Sequence, residues 1–267
     1  MENPAKSSIL DPNLSRRLHR ALTAGKEELF QVLEDPAMEV VRTALKNPAL
    51  DDNHLLAVLK RRDLSEDFLK AVYRLEMVSN GHPLKVAIAH NPAAPGTLLS
   101  AILPYLHLFE LVALCYLPGA TPDQKVAAER AIMQRLPTMP LGYKVTLARR
   151  ATAAVAEALL REGDPRIMEA CLGNPHLKES AIHTFISGPN ASPETISMVA
   201  RHPRWKNRVN LRLAILKNPK TPGVWFTIFL SHLNLNDVKG LKLSQRLTLP
   251  QKMLVEEELK RRGHTIS

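Results

Sequence analysis

Apolar residues recur along this chain at helical spacing. Phe68, Leu69 and Val72 fall at i, i+1 and i+4, and Ile196 and Val199 occupy a matching stripe later in the chain. No segments rich in Val, Thr and Tyr alternate with polar residues, so the helical period prevails over the strand period and predicts an all-α protein. Ser65-Glu66-Asp67 and Ser192-Pro193-Glu194 read as helix starts, with a capping hydroxyl and acidic groups at the positive end of the helix dipole. One apolar run, LLSAILPYLHLFELVALCYL at residues 98–117, has about the length that spans a bilayer. It carries Pro104, His107 and Glu110 and lacks strong basic flanks, so it predicts two short buried helices broken near Pro104 and no membrane span.

The pattern repeats. At an offset of 127 residues, Asn47-Pro48 falls on Asn174-Pro175, Asn91-Pro92 on Asn218-Pro219, Pro95-Gly96 on Pro222-Gly223, and Gln124-Lys125 on Gln251-Lys252. Ser65 meets Ser192, Arg74 meets Arg201 and Arg135 meets Arg262 at the same offset. The chain therefore reads as a duplicated half, residues 1–135 and 136–267, forming one continuous structural domain. Within each half the Asn-Pro pairs lie 44 residues apart, and a closing helical segment follows, KVAAERAIMQRL or KMLVEEELKRRG. Asn before Pro is barred from continuing a helix, its side chain can cap the next turn, and Pro suits the first helical position. Asn-Pro is thus expected to end one helix and start another within two residues. Short amphipathic helices in repeats bury their faces only against neighbours. The expected fold is a right-handed α-solenoid of about six helical units.

The segments VRTALKNPAL, LKVAIAHNPAAPGTLL and LRLAILKNPKTPGVWF resemble the junctions of the leucine-rich repeat variant, and the longer two- or three-helix unit resembles HEAT and armadillo repeats. The unit is nearly twice the length usual for the variant repeat, and no cysteine-rich iron–sulfur segment is present, so no cofactor is expected. HEAT-like repeats also resemble the scaffold of one class of alkylpurine DNA glycosylases, whose catalytic residues find no matching positions here. The resemblance implies a binding surface rather than a particular activity.

Composition adds three constraints. A chain of 267 residues, 45% of them hydrophobic, can bury a sizeable core. Cys115 and Cys171 sit in apolar runs without metal or disulfide spacing and read as buried reduced thiols, which together with an N-terminus lacking an apolar leader predicts a cytoplasmic protein. The net charge of +10 is lopsided: residues 1–135 hold 16 basic and 16 acidic groups, residues 136–267 hold 20 and 10.

The densest basic stretch is ARHPRWKNRVNLRL, residues 200–213, where Arg201, Arg204, Lys206, Arg208 and Arg212 surround Trp205. Lys239, Lys242 and Arg246 form a second cluster and Lys260, Arg261 and Arg262 a third. These six residues of the first cluster are the candidate binding site, either for an acidic protein partner or for nucleic acid, with Trp205 stacking on a base in the second case. The alternative is a solvated face with Trp205 packed between repeats.

No HExxH, CxxC, GxGxxG, GxxxxGKS/T or GxSxG pattern occurs, so no catalytic, cofactor or metal residue is expected. His183 and His232 lie among apolar residues and read as core or interface histidines, while His82 and His202 precede prolines and read as turn residues. Glu256, Glu257 and Glu258 read as a solvated helix face. The expected function is a non-enzymatic scaffold for a protein partner. The alternative is a HEAT-like nucleic-acid-binding protein, such as one acting in DNA repair.

Overall fold

The computed structural model describes residues 12–264; residues 1–11, which include most of the stretch without an apolar leader, and 265–267 lie outside the described part. Among the described residues the chain is helical throughout, with no strand. It divides into two compact units, the first ending at Ala131 and the second beginning at Ile132. The first contains α1 (Pro12–Thr23), α2 (Lys26–Leu33), α3 (Met38–Ala44), α4 (Asp52–Val58), α5 (Glu66–Tyr73), α6 (Glu76–Asn80), α7 (His82–His90), α8 (Gly96–Ile102) and α9 (Leu108–Tyr116). The division falls within α10 (Pro122–Arg135). The second contains α11 (Leu141–Arg150), α12 (Ala153–Leu160), α13 (Pro165–Leu172), α14 (Glu179–Ser187), α15 (Pro193–Arg201), α16 (Val209–Lys217), α17 (Gly223–Leu230), α18 (Leu235–Lys242) and α19 (Leu249–Arg261).

Most of these helices run for two turns or slightly more, too short to persist alone in water, so packing must hold them. Many pack on the helix two places along as well as on the next helix. In the first unit α1 meets α3, α2 meets α4, and α7 meets α5 and α9. In the second, α11, α13 and α15 form one row and α12, α14, α16 and α18 another, with α17 against α19. The apolar stripes face inward between rows: Phe68, Leu69, Val72, Ile196 and Val199 are all fully buried. Ser65 caps α5 by accepting from the Phe68 N–H, and Ser192 caps α15 by accepting from the Thr195 N–H. The run at 98–117 splits into α8, a 3-10 turn at Leu103–Tyr105, and α9; no helix among the described residues is long and apolar enough to cross a membrane.

The Asn-Pro pairs do not restart helices. Asn47 lies beyond the end of α3, its Oδ1 accepts from the Ala49 N–H at 2.7 Å, and the chain turns before α4 begins under the Asp51 cap. The side-chain amide faces the other way, where Asn47 Nδ2 donates to the carbonyls of Ala21 and Ala24 at 2.9 and 3.0 Å. Those carbonyls end α1 and would otherwise lack partners inside the protein. Asn174 repeats this 127 residues later, accepting from His176 N–H and donating to Ala148 and Ala151 at 2.7 and 2.9 Å. Asn91 donates to Leu59 and Arg61 beyond α4, and Asn218 donates to Ile186 near the end of α14. Gln124 and Gln251 do the same from α10 and α19, onto the carbonyls of Ala89 and Asn91 and of Pro219 and Thr221. All six carboxamide residues are buried. The helix start after each second pair falls instead at Gly96 and Gly223, with Pro95 and Pro222 as N-cap residues.

Three further expectations are corrected. His183 and His232 are exposed, so neither is a core histidine: in α14 the buried residues are Ala181, Ile182, Phe185 and Ile186, and His183 is apolar-flanked in sequence but turned away from that stripe. His82 is the first residue of a helix rather than part of a turn. Glu258 is buried on the Val255 and Leu259 stripe of α19, where Arg261 and Arg262 hydrogen-bond its carboxylate and hold it below the usual glutamate range against the opposing effect of burial.

Two outcomes follow for the frame. Asn174→Asp keeps an acceptor for the His176 N–H but cannot donate to Ala148 and Ala151, so urea denaturation should show it as damaging as Asn174→Ala, by about 2 kcal/mol. The exposed Asn190, which donates only to Arg161 O, should lose under about 1 kcal/mol on the same change. Cys115 and Cys171 are buried, and that burial pushes both thiols up to about 12, so neither should react with a thiol reagent at neutral pH until the chain is unfolded.

Candidate functional site

The basic stretch at 200–213 spans the end of α15, a turn, and the start of α16. Its residues separate into structural and free groups. Arg204 donates to the carbonyls of Asn174, Pro175 and Leu177 at 2.6, 3.1 and 3.2 Å, which closes the Asn174-Pro175 turn from outside. Trp205 is 3% exposed, its indole N–H donates to Leu172 O at 3.0 Å, and the Arg204 guanidinium lies 4.3 Å from its ring centroid. Together these two residues dock the α15–α16 turn onto the α13–α14 turn. The Trp205 ring therefore presents no free face on which a base would stack.

The remaining cations carry charge that the protein itself leaves unbalanced. Arg201 donates to Ser197 O, Arg212 donates to Lys206 O and Asn207 Oδ1, and the Lys206 ammonium makes no hydrogen bond or ion pair among the described residues. Only Arg208 faces a carboxylate, Glu179, at a loose 3.8 Å. Exposed pairs of that length contribute little stability.

Arg208 and Glu179 lie at the mouth of a groove that the linear sequence does not reveal. Helices α14 and α16 pack side by side and leave a channel of about 560 Å³ lined by Ser180, His183 and Thr184 on one wall and Asn210, Leu213 and Ala214 on the other. Glu179 borders it at the helix N-terminal end, where Asn210 Nδ2 reaches its carboxylate, and Lys217 borders it at the other end. Lys217 also borders a second hollow of about 320 Å³ around Asn218-Pro219, together with Lys220 and Arg246. Lys220 donates to Pro189 O, while the side chains of Lys217 and Arg246 have no partner among the described residues. The surface is thus a groove with mainly polar walls and Leu213 and Ala214 between them, running into a hollow ringed by Lys217, Lys220 and Arg246.

The first compact unit has a hollow at the corresponding place, about 420 Å³, lined by Lys60, Arg62, His90 and Gly119 around Asn91-Pro92. Arg246 corresponds to Gly119, and Pro189 to Arg62. Gly119 has φ of +86°, and a side chain there would meet the Arg62 guanidinium at 2.8 Å, so Arg62 occupies space that a residue at 119 would need. His90, corresponding to Lys217, has a buried Nε2 without a partner; burial pushes its imidazole below the ordinary range despite the attraction of Glu110, which keeps it neutral at pH 7. The two hollows share a frame and differ in charge.

The local signal for the second hollow was present in KNPK against HNPA, a gain of two lysines at one offset. The groove between α14 and α16 had none, because its walls come from segments about thirty residues apart whose pairing depends on packing.

No protein-family model, no curated protein and no solved structure matches the chain. The resemblance of its Asn-Pro junctions to the leucine-rich repeat variant accordingly rests on those segments alone.

Proposed function

We propose that the chain is a non-enzymatic helical-repeat scaffold, stacked as a right-handed HEAT- or armadillo-like α-solenoid of about six helical units, that holds an acidic segment of a protein partner. The occupied surface is the α14–α16 groove, with the partner's carboxylates at its Lys217, Lys220 and Arg246 end. What supports this reading is the continuity of a groove holding Leu213 and Ala214 among polar side chains into a hollow whose cations lack internal carboxylate partners. A peptide placed there buries apolar area against Leu213 and Ala214 while its acidic groups meet the rim. Rim charges act mainly on association rate and on salt dependence. Arg201, Lys206, Arg208 and Arg212 extend the positive field that draws such a partner in, and Arg204 and Trp205 hold the turn that carries them.

The test is capture from native extract on the immobilised full chain, with Lys217→Glu/Lys220→Glu/Arg246→Glu as the comparison. The expected result is a protein retained at low salt, released as salt rises, and bound roughly tenfold more slowly or less by the charge-reversed chain. Equal retention by both chains would overturn the assignment. Loss of retention after nuclease treatment would favour the nucleic-acid reading instead.

A further inference from the structure

The most concentrated ligand chemistry among the described residues lies in the first compact unit. His82 opens α7, His107 is the N-cap residue of α9, and Glu110 sits in the first turn of α9. Their candidate ligand atoms all lie within 4.8 Å of one another, the one such cluster of three among the described residues. We propose that His82, His107 and Glu110 bind a divalent transition metal, zinc being the cation whose preferences they match.

The donor set is suited to that task. Two imidazoles and a carboxylate favour borderline cations over magnesium or calcium, and three protein ligands with an open fourth position is a common zinc arrangement. On a tetrahedron with bonds of about 2.0–2.1 Å, neighbouring ligand atoms sit roughly 3.4 Å apart. His82 Nε2 already lies 2.8 Å from Glu110 Oε1 and 2.9 Å from Oε2. The His82 and His107 rings are 4.5 Å apart between centroids and tilted by 37°, and the exposed His107 already places a ring nitrogen within 4.8 Å of the other two ligand atoms. Glu110 is held in place from behind, because its Oε2 accepts from the His107 backbone N–H at 2.7 Å. Such support of a ligand by a neighbouring hydrogen bond is what orients metal sites. The partial exposure of the cluster leaves a path for the ion and room for water.

The duplication supplies an internal comparison. At the same offset the second unit has Val209, Asn234 and Asp237, and Val209 likewise opens its helix, α16. Asn234 caps α18 by accepting from the Asp237 N–H at 2.8 Å and donates to its carboxylate at 2.7 Å. In the first unit the His107 side chain fills the same capping role on the Glu110 N–H, but the second unit builds both helix starts without an imidazole, so capping by itself does not call for histidine at either position. The cap is common to both halves and the ligand set belongs to one.

The test uses the untagged, metal-free full chain titrated with Co²⁺, followed by visible absorption, with Zn²⁺ as the displacing ion. His107→Asn and His82→Val install the residues that the second unit uses at these positions, so both variants should retain helical content by circular dichroism. The expected outcome is saturable uptake of about one Co²⁺ per chain, with the intense visible bands of low coordination, displaced by Zn²⁺ and weakened at least roughly tenfold in each variant. A rise in melting temperature with Zn²⁺ in the wild-type chain and not in the variants should accompany it. Unchanged binding in either folded variant, or no saturable binding by the wild-type chain, would overturn the proposal.

Discussion

A buried carboxamide that faces two ways is the interaction on which the rest of this structure depends. Helices of about two turns have nearly as many unpaired terminal carbonyls as internal hydrogen bonds, and when packed in rows some of those carbonyls are shut off from water. Asn47, Asn91, Asn174 and Asn218 resolve this by splitting the side chain's work. The oxygen closes a turn two residues ahead, and the nitrogen satisfies the end of a helix some thirty residues behind. Neither an ionised Asp, which has no donor, nor Ser, whose one short-reaching oxygen must serve as donor and acceptor at a single point, can face both ways. The proline that follows keeps the chain from running on as helix and holds the amide at the junction.

Gln124 and Gln251 extend the device by one methylene. Each caps its own helix start through Oε1, on the N–H of Thr121 or Thr248, while Nε2 reaches the preceding Asn-Pro turn. Gln124 ends on the carbonyl of Asn91 itself, so one clamp is secured by the next. Thr221, which stands where the first unit has Ala94, donates its hydroxyl to Ile215 O, and there Gln251 takes the carbonyls of Pro219 and Thr221. The frame tolerates this local change because a carboxamide has two N–H groups and several nearby acceptors.

A second group of polar residues behaves in the same way with charge added. Arg61 donates to Leu33 and Asp35 carbonyls, Arg204 to the Asn174 turn, and Arg262 to Leu230 and Leu233. Guanidinium groups committed to backbone carbonyls hold helix ends in place, and the net charge of the chain therefore overstates the charge presented to a partner. Once they are set apart, Lys206 and the Lys217, Lys220 and Arg246 hollow remain among the places in the second compact unit where cations face no carboxylate. The surfaces around a shared frame have diverged, one toward cations and the other toward a histidine and glutamate cluster.

Helical period, serine caps, the break at Pro104 and the positions of the Asn-Pro punctuation could be read along the chain, because each depends on residues within about four places of one another. The amino-acid order also located the punctuation at one offset and the imbalance of charge between the halves. It did not show where the Asn amides point, since their partners are helix ends brought near by packing. For the same reason it left Trp205, whose indole N–H is used by Leu172, open between packing between repeats and stacking on a base, and gave no sign that His183 turns away from its apolar neighbours in sequence, which occupy a different helix face. The groove between α14 and α16 and the meeting of His82 with His107 and Glu110 exist because nonadjacent helices lie side by side. Local chemistry specifies the pieces and their joints, whereas the surfaces able to bind anything arise from residues distant in sequence and become defined once the cores between helices are closed.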